Sequence, residues 1–372
     1  MTDPRDLSTD AAHTPLDEKH RAMEARMGTE GGWAVPMSYR GPLDEASAAL
    51  QRGAVADISH LTRLRIRGDG ALDLLERLCT HDVAHQEDDT AALTCLCNER
   101  GGIVDCGYLV RLPEEWLYTG DAGNREKLLE HFTVWVEGFD VRITDRTQQT
   151  VQFSVVGPAA GTALDAVLPF GVSDLPGGAV KAGSLLVARY VAMRTGYAPA
   201  WGLEVAIPSM MGGKAWRFIT DKAGENALPP LGMAARDVLR IQAGLPRYGH
   251  EMNETIDPLT AGLERCVDFG HDFLGADAVA KVRDRGLSRR PVKLRLHLPG
   301  DTPPQKAIPR LGDRIETADG CEVGTVTSGS LSPQDRQPIA LGYVSTMVDP
   351  ESQVRLVNSS GKPFPSCILP TK

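Results

Sequence analysis

Short segments in which apolar and polar residues alternate are the feature that most constrains the fold of this chain. In one of them Leu64 and Ile66 alternate with arginines, which is the pattern of a strand with one buried face. Directly after it we expect a helix capped by Asp69, because apolar residues then recur at helical spacing. These residues are Ala71, Leu74, Leu75 and Leu78.

Three more strands and a second helix are predicted next. The strands lie around 93–97, over 103–112 and from Trp116, and the helix lies near 124–132. Alternation then returns at Phe139, Val141 and Ile143, and again at Val151, Phe153 and Val155. The order strand, helix, strand, strand favours an α+β layer over a doubly wound parallel sheet.

The sequence pattern changes in the last part of the chain. The charged stretch 281–290 is interpreted as a linker or a solvated helix end, and Val292, Leu294, Leu296 and Leu298 alternate strictly after it. Glycine and proline then separate short strands, which indicates a small all-β barrel or jelly-roll domain. With 372 residues, 42% of them hydrophobic, we expect two or three domains in total.

Charge and hydropathy exclude several classes of partner. The net charge is -9 and no basic block occurs, so we expect neither nucleic-acid nor membrane-surface binding. The apolar runs are too short to span a bilayer, and the acidic start MTDPRDLSTD does not resemble a signal peptide. We therefore expect a cytoplasmic protein.

Cysteines and histidines give no metal site by pattern. The seven cysteines are scattered without a C-x-x-C pair, so neither a disulfide framework nor a zinc ribbon is indicated. His81 and His85 are spaced i, i+4, but no third ligand is suggested, which favours ordinary polar roles. Phosphate-loop, dinucleotide, zinc-protease and nucleophile-elbow motifs are absent from the sequence.

Three polar positions stand out within apolar elements. Asp105 lies inside an apolar strand, where a buried carboxylate requires a structural partner or a ligand. Arg236 and Arg240 share one helical face beside Asp237, an arrangement that suits either an ion-pair network or a carboxylate or heterocycle ligand. Glu204 is an acid at the start of another apolar strand.

An ordered set of segments resembles the aminomethyltransferase (T-protein) family of the glycine cleavage system over nearly the whole chain. HTPLDEKH, ARMGTEGGW and PMSY are similar to the family's N-terminal pattern, ADISHL to its D-V-S-H-M, and NERGGIVDCGYLV to its N-x-x-G-G-I-x-D-D. The remaining matches are AGNREKLLEHF, VVGPAA, RTGYAPAWGLEVAIP, LGMAARDVLRIQAGLPRYGHEMNETIDPLTAGL, GTVTSGSLSP and IALGYV.

The resemblance implies an α+β, three-domain cloverleaf around a central opening that binds tetrahydrofolate. The domains would be 1–52 with 146–285 as a first folate-binding domain, 53–145 as a ferredoxin-like domain, and 286–372 as the C-terminal barrel. The implied reaction moves a one-carbon unit (methylene, methyl or formimidoyl) between folate N5 and a small amine-type substrate, without a metal.

The resemblance also implies residue roles. Asp105 matches the first acid of the D-D pair, which lies near folate N5 and N10 and helps to manage protons. Glu204 and Arg236 match the residues that hold the pterin ring. Tyr197 lies in the T-G-Y turn that lines the same opening, and Tyr248 is a weaker neighbour.

Several departures from the family pattern fall where the substrate is expected. Cys106 replaces the second acid, Leu93 replaces a usual tyrosine, and Asp121 replaces the usual asparagine beside the pterin. Trp201 is introduced into the turn TGYAPAW, which also loses an acid. These departures predict a conserved cofactor site and an altered acceptor pocket formed by Cys106, Leu93, Trp201 and Tyr248.

Three functions remain open from the sequence. One is the ordinary aminomethyl transfer with a lipoyl carrier protein, and another is a specialised relative acting on a different small amine or sulfur compound. The third is a folate-binding accessory protein of iron–sulfur maintenance, which usually shows K-G-C-Y-x-G-Q-E. Here the corresponding segment is LPRYGHEMNETIDPLTAGL, which follows the transferase pattern.

Overall fold

The structure is a computed structural model. It describes residues 10–166, 168, 170–185, 188–195, 201–222, 224, 227–300, 302–350 and 352–369.

Within these residues the helices are α1 (Asp17–Ala22), α2 (Pro42–Gln51), α3 (Ala71–Leu78), α4 (Arg125–Trp135), α5 (Ala160–Asp165), α6 (Ser209–Arg217), α7 (Met233–Ala243) and α8 (Ala276–Arg285). The strands are β1 (Ala12–His13), β2 (Arg26–Glu30), β3 (Trp33–Ser38), β4 (Ala54–Asp57), β5 (Thr62–Arg67), β6 (Thr90–Cys97), β7 (Ile103–Leu112), β8 (Glu115–Gly120), β9 (Arg142–Asp145), β10 (Thr150–Val156), β11 (Val180–Leu185), β12 (Ala188–Thr195), β13 (Gly202–Pro208), β14 (Arg289–Leu296), β15 (Arg314–Glu316), β16 (Glu322–Leu331), β17 (Pro338–Ser345), β18 (Gln353–Val357) and β19 (Pro363–Leu369).

One five-stranded sheet, which we call the first sheet, has the order β11-β12-β13-β10-β4. Its neighbouring strands pair antiparallel, so β13 and β4 flank β10 on either side. The predicted alternation on β10 is confirmed, since Val151, Phe153 and Val155 are buried in one cluster with Trp216 of α6. This packing fixes the position of β13, which carries Glu204.

The second sheet has the order β6-β7-β8-β5-β9 and carries α3 and α4 on one face. Leu64 and Ile66 are buried there together with the four predicted apolar residues of α3. The predicted Asp69 cap is wrong, because Gly70 occupies the N-cap position and no side chain caps the helix. Phe139, Val141 and Ile143 pack against this core as predicted, and the strand that contains Ile143 is β9 (Arg142–Asp145).

The other face of the second sheet packs against the first sheet. Val110 and Leu112 of β7 are buried against Val180 of β11 and Met193 of β12. Because apolar side chains from both sheets pack together here, polar side chains on the same strand faces also lie between the sheets.

The C-terminal strands form a closed barrel with the order β14-β17-β16-β15-β18-β19. Val292, Leu294 and Leu296 point into its core, as their alternation predicts. The stretch interpreted as a linker or helix end is the end of α8 followed by the start of β14. The α+β class and the C-terminal β-barrel are therefore confirmed.

The division into domains stays a prediction. β4 begins directly after the proposed boundary at residue 53, yet it pairs with β10 of the first sheet. In the part of the chain that the structure describes, no helix has both the length and the apolar character that crossing a membrane requires.

Candidate active site

The side chains of Glu204 on β13 and Arg236 on α7 lie next to each other. Nη2 of Arg236 lies 3.6 Å from Oε1 of Glu204. Both residues are buried, with 3% and 7% of their surfaces exposed. The helix holds its position because Val238 and Leu239 pack into a core that also contains Trp33. The two residues predicted to hold one ligand are thus adjacent.

Gln152 of β10 completes this pair, although sequence analysis gave it no role. Its Nε2 donates a hydrogen bond of 2.7 Å to Oε2 of Glu204. Its Oε1 is buried and has no hydrogen-bond partner among the described residues. An unsatisfied buried acceptor costs about 1–3 kcal/mol, so this carbonyl oxygen is suited to a ligand donor. No pattern distinguishes Gln152 from other polar strand residues.

The electrostatics of Glu204 follow from its surroundings. Burial raises the pKa of Glu204, and the positive charge of Arg236 and the hydrogen bond from Gln152 offset only part of that rise. When Glu204 is deprotonated, its buried carboxylate needs hydrogen-bond donors to offset the cost of desolvation. Arg236, Gln152 or a ligand can supply them.

A cavity of about 160 Å³ lies between the two sheets. Glu204, Gln152 and Met193 line it from the first sheet, and Val110 and Leu117 line it from the second sheet. The acid and the amide therefore face a mostly apolar space between the two sheets, and Arg236 is absent from its lining.

Glu30, at the end of β2, connects to this site through charge. Its Oε1 lies 3.2 Å from His60 Nε2 and 3.2 Å from Arg247 Nη2. Burial alone would raise the pKa of Glu30, but the hydrogen bond from His60 and the positive charges of His60, Arg247 and Arg236 lower it to about 2. Glu30 lies in GTEGGW and His60 in ADISHL, two segments that resemble the family pattern. Sequence analysis predicted no role for either residue.

Asp105 lies on β7 with its side chain toward the helical face of the second sheet. Oδ2 accepts a hydrogen bond of 2.8 Å from the Tyr118 hydroxyl, and Oδ1 accepts one of 2.8 Å from Nδ2 of Asn124. The backbone N–H of Asp121 donates to Oδ1 at 3.3 Å. Asp105 is fully buried and is absent from the lining of the inter-sheet cavity.

Burial raises the pKa of Asp105 to about 6, although the hydrogen bonds from Asn124 and Tyr118 favour its ionised form. The sequence also leaves space for this carboxyl group. A Cβ atom at Gly120 would lie 2.1 Å from Oδ2 of Asp105. A side chain at position 120 is therefore incompatible with the observed position of Asp105.

Asp121 lies in a turn, where hydrogen bonds hold both its side chain and its backbone. Its Oδ1 accepts a hydrogen bond of 2.8 Å from the N–H of Gly123, and its carbonyl accepts one of 2.9 Å from the Thr62 hydroxyl. Gly31, with φ of +56°, packs so closely that an added Cβ would lie 2.6 Å from the Gly123 nitrogen. This contact places the Glu30 turn beside the Asp121 turn.

Three of the four residues predicted for the acceptor pocket lie together. Leu93, Cys106 and Tyr248 pack in one apolar cluster with Cys95 and Met252. Cys106 follows Asp105 on a strand, so its side chain points to the opposite face.

Tyr248 is fixed from outside this apolar cluster. Nζ of Lys127 donates a hydrogen bond of 2.8 Å to its hydroxyl and pairs with Glu254 at 2.9 Å. Burial raises the pKa of Tyr248, and the negative charge of Asp105 adds to the rise. Asp105 and Tyr248 are therefore close enough to interact electrostatically, although they lie on different segments.

Trp201 packs elsewhere. Its Nε1 donates to the Ser173 carbonyl at 3.1 Å, and the Arg194 guanidinium lies 4.8 Å from its ring centroid. It belongs to the core of the first sheet rather than to the cluster of Leu93 and Cys106. Tyr197 lies outside the described residues.

Arg240 forms the ion-pair network that was one of the two interpretations of its helix. Its Nε and Nη1 donate to Asp237 at 2.9 Å and to Glu251 at 2.7 Å, and Nη2 donates to Ser328 of β16 at 2.7 Å. It therefore joins α7 to the barrel. Among the residues with described positions, no cluster of three His, Cys, Asp or Glu side chains is arranged to hold a metal ion.

Two family models match the chain. Residues 16–271 match the GCVT N-terminal domain, and residues 289–370 match the glycine cleavage T-protein C-terminal barrel domain. The first match covers the first and second sheets, and the second covers the barrel.

Similar proteins span the same length. The chain is 33% identical over 367 residues to an aminomethyltransferase of Rubrobacter xylanophilus, covering 96% of this chain and 92% of that protein. It is 29% identical over 365 residues to an aminomethyltransferase of Desulfitobacterium hafniense, covering 98% of each. The crystal structure of glycine cleavage system aminomethyltransferase T from Bartonella henselae matches with a TM-score of 0.85 and 26% identity over 96% of both chains.

Proposed function

Because this chain belongs to the glycine cleavage T-protein family, we propose that it is a tetrahydrofolate-dependent transferase. It moves a one-carbon unit (methylene, methyl or formimidoyl) between folate N5 and a small amine-type substrate. The protein works in the cytoplasm in this proposal, and neither nucleic acid nor a membrane is a partner.

The observation that carries the proposal is the unsatisfied Oε1 of Gln152 beside Glu204 and Arg236. A pterin ring carries adjacent N–H donors and a carbonyl acceptor on one edge. Carboxylate and amide oxygens suit the donors, and a guanidinium suits the carbonyl. Glu204, Gln152 and Arg236 therefore hold the pterin, with Tyr197 and Asp121 as further contacts. Bound folate supplies the nitrogen that carries the one-carbon unit.

Asp105 is the acid–base residue in this proposal. Its pKa of about 6 lies close to neutral pH, where a carboxyl group exchanges protons efficiently. Three donors hold its oxygens in place, which keeps the group oriented during proton transfer. The backbone N–H of Asp121, a proposed pterin contact, donates one of these hydrogen bonds.

The acceptor pocket is formed by Leu93, Cys106 and Tyr248, and Trp201 is not part of it because its ring packs in the core of the first sheet. Replacement of an acid and a tyrosine by Cys106 and Leu93 makes the wall less polar. A less polar wall favours a substrate that carries fewer charged groups. We infer a specialised member of the family that takes a small amine.

A second candidate function is the ordinary aminomethyl transfer with a lipoyl carrier protein. Full-length relatives that bear the name aminomethyltransferase favour it. A third candidate, a folate-binding accessory protein without turnover, has support only from the fold.

The deciding experiment supplies 5,10-methylene-, 5-methyl- and 5-formimidoyl-tetrahydrofolate separately and follows product mass with a panel of small amines. A parallel series contains an aminomethylated lipoyl carrier protein and tetrahydrofolate. Turnover only with the carrier would establish the second candidate, and tight folate binding without turnover in any series would establish the third. A protein that binds no folate would overturn all three.

A further inference from the structure

Two cysteines face each other across β6 and β7. Cys95 lies directly opposite Cys106 in the strand register. The N–H of Cys95 donates to the Thr80 hydroxyl at 3.0 Å, and its carbonyl accepts from the Thr80 N–H at 3.0 Å. Both backbone groups of Cys95 therefore point away from β7, so Cys95 and Cys106 form a non-hydrogen-bonded pair of the antiparallel ladder.

This type of pair has the spacing that a disulfide requires. The Cα atoms of a non-hydrogen-bonded pair are about 4.5 Å apart, and disulfides span Cα separations of roughly 4.4–6.8 Å. Cys97 follows two positions along β6, but a register shift between Leu96 and Cys97 places it opposite Ile103, three residues before Cys106. Cys95 is therefore the β6 cysteine that is in register with Cys106.

The two thiols differ in access. Cys95 is fully buried, whereas Cys106 is partly exposed. The hydrogen bond to Cys106 and then burial raise the pKa of Cys95 well above its usual range. Cys95 thus keeps its proton, and Cys106 is the thiol that a reagent reaches first.

We propose that Cys106 and Cys95 form a reversible disulfide with a low-molecular-weight disulfide as the oxidant. The Cys106 thiolate attacks one sulfur of the oxidant, and the S–S bond of the oxidant breaks to release one small thiolate. That thiolate takes the proton of Cys95, whose sulfur attacks the Cys106 sulfur and releases the second small thiolate, which is protonated by solvent. The two cysteines are oxidised by two electrons, and the oxidant is reduced to two thiols.

The position of this disulfide gives it a consequence for the site. Cys106 packs with Leu93 and Tyr248, so its conversion from a free thiol to a disulfide changes one wall of the proposed acceptor pocket. Only this consequence rests on the proposed function, because the disulfide itself depends on strand register alone.

The test treats the native full-length protein with glutathione disulfide, blocks free thiols with N-ethylmaleimide and maps tryptic peptides. Trypsin cleaves after Arg100 and therefore separates Cys106, in peptide 101–111, from peptide 78–100, which contains Cys79, Cys95 and Cys97. We expect these peptides to be joined with the loss of two hydrogen masses, and dithiothreitol to separate them. Fragmentation should place the bond at Cys95.

Single variants distinguish the possible partners. Cys95→Ser should abolish the cross-link and leave Cys106 as a mixed disulfide with glutathione. The matched variants Cys97→Ser and Cys266→Ser, which alter cysteines of the same cluster, should keep the cross-link. Persistence of the cross-link in Cys95→Ser, a bond to Cys97 or Cys266, or stable mixed disulfide in the wild-type protein would each overturn the proposal. Because the readout is peptide mass, absence of folate turnover leaves this result interpretable.

Discussion

The hydroxyl of Tyr118 donates a hydrogen bond of 2.8 Å to Oδ2 of Asp105, and both side chains are fully buried. This bond favours the ionised carboxyl group, whereas burial opposes ionisation more strongly and raises the pKa of Asp105 to about 6. Asp105 is therefore a buried acid that titrates close to the working pH of many enzymes.

The pKa of Asp105 gives a first prediction about stability. An unfolded aspartate titrates near pH 3.9, so as the pH rises from about 4 to 7 the unfolded state loses its proton first and this group lowers the free energy of unfolding by about 2 kcal/mol. The variant Asp105→Asn has no carboxyl group to titrate at this position. Relative to the wild-type protein, its free energy of unfolding should increase by about 2 kcal/mol between pH 4 and 7.

Urea denaturation of both proteins at several pH values in this range measures the difference. Other titrating groups are present in both proteins, so they cancel in the comparison. A difference in unfolding free energy that stays constant with pH would show that Asp105 does not titrate as its burial indicates.

The same residue gives a prediction about turnover. Asp105→Asn should reduce turnover by roughly 10²-fold or more while folate affinity is retained. In the wild-type protein, kcat/KM should change with a limb near pH 6, as the pKa of Asp105 requires. The Asn variant should lack this limb.

Tyr118→Phe is the matched variant for the hydrogen bond. Loss of this bond removes a contact that lowers the pKa of Asp105, so the limb should move to higher pH. A purely structural role for Tyr118 would change the amplitude of the pH profile and leave its midpoint in place.

The two arginines of α7 give a contrasting pair of predictions. Arg240 is 1% exposed and bonded to Glu251. Arg240→Ala removes the cation beside this buried carboxylate, which keeps the hydrogen bonds from Thr327 and Ser328, and should cost about 3 kcal/mol of stability. Arg236→Ala should instead act mainly on folate affinity. Thermal denaturation and folate titration of both variants separate the two effects. Equal folate affinity in wild-type and intact Arg236→Ala protein would remove Arg236 from the binding site.

The sequence predicted most elements of the fold because alternation and helical spacing are local properties. β7 has the predicted bounds, and the apolar residues of β5, α3 and β14 are buried as expected. Asp69 was misplaced as a cap because side-chain capping depends on the local backbone, and Gly70 occupies that position. β4 pairs with a strand more than ninety residues further along the chain. Local periodicity does not predict which distant strands pair.

The site was predicted only in part, because some of its contacts depend on tertiary packing. The proximity of Glu204 and Arg236 follows from the family resemblance, while the separation of Trp201 from Leu93 and Cys106 depends on which core its ring enters. Arg236 and Arg240 are equivalent by spacing, and only the positions of Glu204 and Glu251 distinguish their roles. Gln152 could not be found because a buried, unsatisfied amide oxygen has no sequence pattern.

Gln152 gives the last prediction, which addresses the cofactor site directly. Gln152→Met keeps the length of the side chain but removes both the unsatisfied Oε1 and the hydrogen bond to Glu204. Loss of one ligand hydrogen bond should weaken tetrahydrofolate binding by about tenfold, equivalent to about 1.4 kcal/mol. Without ligand, the free energy of unfolding should change only slightly. The substitution removes the hydrogen bond to Glu204, but it also removes the buried oxygen that has no partner. Isothermal titration with tetrahydrofolate, alongside Gln51→Met at an exposed amide of α2 as the control, measures the effect. Equal weakening in both variants, or none in Gln152→Met, would show that the amide oxygen does not contact folate.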